Sequence, residues 1–125
     1  MILGLGTDLV AITRVETVLS RHRDRFLDRV FTHAEQVDCL ARARPATHLA
    51  ARLAAKEAAM KALGTGWSLG IRWTDVEVRS GGGTPPTLHL AGVARERAEA
   101  RGVRQALVSL SHDGDYAVAV VVATD

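Results

Sequence analysis

The chain has 125 residues, 47% hydrophobic and 24% charged, with one cysteine and a formal net charge of only +2. That length suits one domain with a real core and fits two poorly, and the lone Cys39 excludes an intrachain disulfide or an all-cysteine metal site. Despite a pI of about 9.2, the low net charge and 4% aromatic content count against a nucleic-acid binder, which needs a basic footprint and stacking platforms.

Residues 2–12 are expected as a buried strand, with Ile2, Leu3, Leu5, Leu9, Val10 and Ile12 as its apolar set. Gly4 and Gly6 permit close backbone approach there. This opening lacks a basic segment before it and makes a poor signal peptide. Neither it nor the apolar run 117–123 is long enough to span a bilayer, so the expected location is cytoplasmic. Asp8 is the anomaly: a carboxylate in an apolar segment is either exposed at a bend or tied to a charge or a metal.

Thr13 and Glu16 have capping-box spacing and would open a helix to about residue 24. On it Arg14, Val18, Arg21 and Arg25 recur at i, i+4, i+7 and i+11. They form one basic stripe around an aliphatic residue, either a solvated face or a dock for an acidic helix. Phe26, Leu27, Val30 and Phe31 read as core. Thr32 and Glu35 make a second capping box, for a helix over 33–42.

The stretch ARLAAKEAAMKALGTG, residues 51–66, is rich in helix formers and stops at a glycine pair. The helix is expected over about 47–63, after Pro45, with Thr47 as its cap. Leu49, Leu53, Met60 and Leu63 fall on one apolar stripe, with Glu57 inside it or at its edge. A carboxylate on the core side needs a partner: Lys61 four residues on, or a metal in a cleft. Gly64-Thr65-Gly66 lacks the P-loop pattern; it is a glycine C-cap, or a place where backbone N–H groups meet a phosphate.

After a loop through Trp67, Ser68, Leu69 and Gly70, the alternation of Trp73, Val76 and Val78 with Asp75 and Glu77 predicts a strand. Residues 80–86 make a turn, 87–90 the partner strand, and 92–101 a helix ended by Gly102. The strongest β signal is the hairpin over 106–123, turning at His112-Asp113-Gly114-Asp115 and expected to be central to the sheet. Helices and strands do not alternate regularly. That predicts an α+β fold, a mixed, mainly antiparallel sheet packed by a long helix.

His22, His33, His48, His89 and His112 have no zinc-ligand spacing. Arg42, Arg44 and Arg52 are phosphate contacts or solvated charges. Asp8 and Glu57 are hard oxygen ligands suited to Mg²⁺. Lys61, one turn beyond Glu57, would meet a phosphate on the same metal, a trio that fits phosphoryl-type transfer.

Three blocks carry a resemblance: GTDLVAITRVE at 6–16, RLAAKEAAMKALGTG at 52–66 and VSLSHDGDYAVAVV at 108–121. With FLDRVFT at 26–32 and WTDVEV at 73–78 between them, the whole chain resembles the holo-[acyl-carrier-protein] synthases, small 4'-phosphopantetheinyl transferases. The resemblance implies one transferase domain over 1–125. It also implies transfer of phosphopantetheine from coenzyme A to a serine of apo acyl carrier protein, leaving adenosine 3',5'-bisphosphate. Asp8, Glu57 and Lys61 would be catalytic, with Mg²⁺ on Asp8 and Glu57. Arg52, Lys61, Gly64, Thr65, Gly66, Ser111 and His112 would contact the coenzyme. The serine proton would go to Glu57, directly or through a water, or to water alone.

The resemblance further implies a homotrimer with sites between subunits, and makes Arg14, Val18, Arg21 and Arg25 the dock for the acidic carrier protein. Two departures stand out: Leu53 where many members have phenylalanine, and GGGTPP at 81–86 where a glycine, a basic or polar residue and a proline are usual. The alternative is a non-catalytic module that binds coenzyme A or an acidic protein.

Overall fold

The computed structural model describes residues 1–67, 70–81 and 83–125; Ser68 and Leu69 of the expected loop, and Gly82 of the expected turn, lie outside the described residues. The order is β1 (Ile2–Ala11), α1 (Ile12–Val30), α2 (His33–Leu40), α3 (Pro45–Leu63), a 3₁₀ turn at Trp73–Asp75, β2 (Val76–Gly81), β3 (Thr84–Leu90), α4 (Gly92–Ala100), β4 (Gln105–Asp113) and β5 (Tyr116–Thr124). The α+β expectation holds, with the sheet divided in two. β1, β5 and β4 form one sheet with β5 central, β2 and β3 form another, and each of these pairings is antiparallel.

β5 is central because its inward positions are small. Ala117, Ala119, Val121 and Ala123 are all buried against the helical layer, while the alternate positions face the other way. In register, Asp8 on β1 lies beside Ala119, which lies beside Leu110 on β4.

The one-sided stripe expected for α3 is not what forms. The helix is buried on nearly every side, with Glu57 and Lys61 among its few solvent-reaching residues. Alanines cause this: Ala54, Ala58, Ala59 and Ala62 let neighbouring backbones close in from several directions. β1 comes closest. A Cβ on Gly4 would sit 1.9 Å from the Ala62 carbonyl oxygen, and one on Gly6 1.9 Å from that of Ala58. The two glycines therefore let strand lie on helix backbone to backbone.

Several local expectations are corrected. β1 is not buried on both faces: Ile2, Leu5 and Leu9 are exposed, and Gly4, Gly6, Asp8 and Val10 make its inward row. The Thr13–Glu16 box does not form, because α1 starts two residues earlier, at Ile12 after Ala11 as N-cap, with no side-chain cap. The Ile12 N–H is satisfied at 2.8 Å by the Asp115 carbonyl of the β4–β5 turn instead. α1 runs on to Val30 through a kink at His22 (φ −139°, ψ 43°). α2 ends at Leu40, short of residue 42. α3 starts at Pro45, whose ring suits the first helical turn, so Thr47 is a buried residue within the helix and not its cap. Trp73 belongs to the 3₁₀ turn and stacks on Trp67 with ring centroids 3.8 Å apart. The Thr32–Glu35 capping box forms as expected. Among the described residues no helix is long and apolar enough to cross a membrane.

Candidate active site

Asp8 follows Gly6 by two residues and shares its inward face, so the backbone contact at Gly6 delivers the Asp8 carboxylate to α3. Its side chain is 13% exposed, and Oδ1 accepts from Lys61 Nζ at 3.1 Å. Lys61 Nζ also donates to the Thr7 carbonyl at 2.9 Å. The partner of Lys61 is thus on β1, across the fold, and not Glu57 on its own helix. Asp8 Oδ2 is buried and meets no hydrogen-bond donor among the described residues.

The Glu57 carboxyl abuts Asp8. Burial, then a hydrogen bond shared with Asp8, then the Asp8 charge push the Glu57 pKa from 4.5 up to about 7, with Arg14 and Lys61 pulling the other way. Partial burial and the neighbouring Asp8 charge both disfavour the ionised form of Glu57. A proton on Glu57 supplies the donor that Asp8 Oδ2 lacks; a cation would serve both groups instead. Among the described residues there is no cluster of three or more metal-ligating side chains. Two carboxylates, with water and substrate oxygens completing the shell, suit Mg²⁺ and not a caged metal. The donor set fits the ion.

Arg52 sits elsewhere. It lies five residues before Glu57, which places it roughly 140° round the helix and about 7.5 Å along it. Its side chain is 4% exposed and paired with Asp38, and it donates to Ser80 Oγ at 2.6 Å and to the His48 carbonyl at 3.3 Å. Arg52 Nε is buried with no partner among the described residues. The His48 ring meets that of His112 edge-on at 6.3 Å. Burial, followed by the charges of Arg42, Arg52 and His112, lowers the His48 pKa. Asp38 pairs with both Arg42 and Arg52 here; two guanidinium groups against one carboxylate leave a net positive charge that suits an anion.

Ser111 and His112 are neighbours in β4 and point to opposite faces. His112 pairs with Ala117 on the helix side, whereas Ser111 pairs with Val118, which pairs with Leu9 on the outer face. Gly64 takes the left-handed C-cap conformation (φ 72°), its N–H donating to the Lys61 carbonyl at 3.0 Å, while the Thr65 N–H donates to that of Met60 at 3.2 Å. The glycine C-cap is formed, and Arg101 seals it by donating to the Leu63 carbonyl. Gly66 follows with φ 59°. One chain therefore assembles Asp8, Glu57 and Lys61. It leaves Arg52 with His112, the Gly64–Gly66 turn and Ser111 at three other places.

On α1, Arg14, Arg21 and Arg25 are exposed and Val18 is half-buried. The helix that carries the stripe does not stop near Asp24 but runs on to Val30. Across the kink, Val18, His22, Arg25, Phe26, Arg29 and Val30 line a shallow cavity of about 240 Å³. Arg14 differs from the rest in lowering the Glu57 pKa, which ties the start of the stripe to the carboxylate pair. A larger cavity, about 860 Å³, lies between β3, α4 and β4 and is lined by neither Asp8 nor Glu57. Sequence reading passed over Lys56, which is buried and ion-paired with Glu35 at 2.8 Å. The available signal was a second charge beside Glu57 in an alanine run. The outer face of the β1–β5–β4 sheet carries an apolar row, exposed Leu5 beside half-buried Val122 beside exposed Leu107.

Comparison with known proteins matches residues 4–121 to the model of the 4'-phosphopantetheinyl transferase superfamily. A holo-[acyl-carrier-protein] synthase of Desulforudis audaxviator is 49% identical over 123 residues, covering 98% of this chain and 93% of that one. Among solved structures, the holo-[acyl-carrier-protein] synthase of Neisseria meningitidis superposes with a TM-score of 0.90 at 29% identity, covering both chains in full. That of Helicobacter pylori, in complex with coenzyme A, gives a TM-score of 0.84 at 29% identity, covering 96% of this chain and 99% of that one. With this likeness running from Gly4 almost to the C-terminus, the chain belongs to the 4'-phosphopantetheinyl transferase superfamily and, within it, to the holo-[acyl-carrier-protein] synthases.

Proposed function

We propose that the chain, as one transferase domain, moves the 4'-phosphopantetheine of coenzyme A onto a serine of an apo acyl carrier protein. The serine oxygen forms a bond to the phosphorus that bears pantetheine. That phosphorus gives up its bond to the bridging oxygen, adenosine 3',5'-bisphosphate leaves, and the serine proton is lost. The observation that carries this reading is the pairing of the Glu57 carboxyl with Asp8, whose Oδ2 is buried with no donor among the described residues, with Lys61 alongside.

Asp8 and Glu57 would hold Mg²⁺. The ion would supply neutralisation of the pyrophosphate and of the charge developing on the leaving bisphosphate. Lys61 is 55% exposed, so it can exchange the Asp8 oxygen for a phosphate oxygen without crossing the core. Glu57 must release its proton before it can serve as a ligand. A coenzyme A-bound relative supports the donor.

A homotrimer is supported by two features. The Leu5–Val122–Leu107 row, exposed at Leu5 and Leu107, offers a face to cover, and Arg52 with His112 occupies a different side of α3 from Glu57. A neighbouring subunit could bring its cationic cluster to the far end of a coenzyme held at Asp8 and Glu57. The kinked basic face of α1 supports docking of an acidic carrier-protein helix at Arg14, Val18, Arg21 and Arg25. The test is incubation of apo acyl carrier protein with coenzyme A, Mg²⁺ and the chain. A phosphopantetheine mass gain is expected; binding of coenzyme A with no gain would sink the transfer reading and leave the non-catalytic module.

A further inference from the structure

One edge of β2 pairs with β3, and the other faces α2 and α3 with no strand beside it among the described residues. Buried backbone groups on such an edge still need partners. Two side chains supply them. Lys56 Nζ donates to Glu35 Oε1 at 2.8 Å, to the Trp73 carbonyl at 3.1 Å, and to the Val76 carbonyl. Glu35 Oε1 also accepts the Thr32 N–H at 2.9 Å, and Oε2 accepts the Val78 N–H at 3.0 Å. Both side chains are 0% exposed. The ammonium meets three acceptors with its three protons, and each carboxylate oxygen has a donor. The pair stands in for the missing strand.

A buried ion pair is weak evidence for stability, because desolvation offsets the attraction; its best-attested use is to select one arrangement. α3 is a helix that needs such selection. Much of its buried surface is alanine, and cores lose uniqueness of packing before they lose stability. Lys56 immediately precedes Glu57, so the direction in which Lys56 is held sets, about 100° round the helix, where Glu57 points.

We propose that Lys56 and Glu35 are positioning residues of the active site: they set the rotation and depth of α3 against the β2 edge and thereby bring Glu57 to Asp8. This rests on the reading of Asp8 and Glu57 as the metal-binding pair. Lys56 and Glu35 act through Glu57 and touch no substrate.

The test is Mn²⁺ binding to the full chain, followed by electron paramagnetic resonance with neither coenzyme nor carrier protein. Lys56→Met, at a temperature where circular dichroism finds it as folded as the wild type, is expected to bind Mn²⁺ about tenfold or more weakly, the scale on which metal affinity falls when a ligand loses its orientation. The double variant Lys56→Gln/Glu35→Gln keeps donors and acceptors at the β2 edge and is expected to recover most of that affinity. A purely structural role would lower the folded fraction and leave affinity per folded molecule unchanged; that result overturns the proposal. If Lys56→Met does not fold, Glu35→Asp keeps the charge and shortens the reach by one methylene. The same loss is expected there, and wild-type affinity overturns the proposal. A wild-type chain that binds no Mn²⁺, or an Asp8→Asn chain that binds it equally well, would sink the metal reading instead. Positioning is then decided by a crystal structure of the folded variant, where a retained Glu57–Asp8 contact overturns it.

Discussion

Lys61 Nζ lies 3.1 Å from Asp8 Oδ1, although Glu57 stands one turn back on the same helix. An i, i+4 pair on an exposed helix contributes only a few tenths of a kcal/mol, so a carboxylate brought in by tertiary packing readily wins the lysine. The outcome leaves Glu57 against Asp8 without a dedicated cation, and this governs how the site responds to pH, metal and mutation.

Glu57 is pushed up to about 7 from its ordinary value of 4.5. Between those values the folded, metal-free chain binds more protons than the unfolded chain, so its stability falls as pH rises through that window. Glu57→Gln is expected to flatten this slope in thermal melts run in a chelator. Mg²⁺ binding must displace the proton, so apparent affinity rises with pH up to about 7 and then levels. Calorimetry in buffers of different ionisation enthalpy should record proton release at pH 6 and little at pH 8.

Asp8→Asn and Glu57→Gln each remove one metal ligand and part of a costly charge pair. Carrier-protein modification is expected to fall by roughly 100-fold or more, the scale of losing a charge-stabilising contact at a reacting centre. Without metal, both variants should melt no lower than the wild type above pH 7. A variant that lost activity together with much of its stability would point to misfolding.

Gly6→Ala places a methyl 1.9 Å from the Ala58 carbonyl oxygen. β1 must move off α3, at a cost of about 2–3 kcal/mol of overpacking, and Asp8 moves with it. Gly66 has a positive φ of 59° and open space around its Cβ direction. Gly66→Ala should therefore cost only the left-handed backbone penalty of about 1 kcal/mol. Denaturant midpoints of the two variants check the contrast.

Arg21→Glu and Arg25→Glu are expected to raise the carrier-protein KM about tenfold or more, in a salt-sensitive manner, with the coenzyme A KM little changed. Arg14→Glu should also shift the pH dependence of Mg²⁺ use upward, because Arg14 helps to hold Glu57 ionised. Steady-state kinetics at two ionic strengths and several pH values separate the two effects. Equal rises in both KM values would argue against a docking face.

The sequence by itself determined what depends on local order: the Thr32–Glu35 capping box, the glycine stop after Leu63, the β4–β5 hairpin and the carboxylates Asp8 and Glu57. The motif blocks identified the family from the same information. Tertiary structure decided the rest. Periodicity weighs large apolar residues and overlooks alanine, so it read one stripe on a helix that Gly4, Gly6 and the small residues of β5 let be buried nearly all round. Thr13 had cap spacing, yet a carbonyl from Asp115 satisfied the helix start first. The choice of charge partners was equally non-local. Lys61 went to a strand 53 residues away, and Lys56 to Glu35 and the β2 edge. A charge takes the partner that shares its buried space, and only the folded packing of β1 and β2 on α3 says which groups share it.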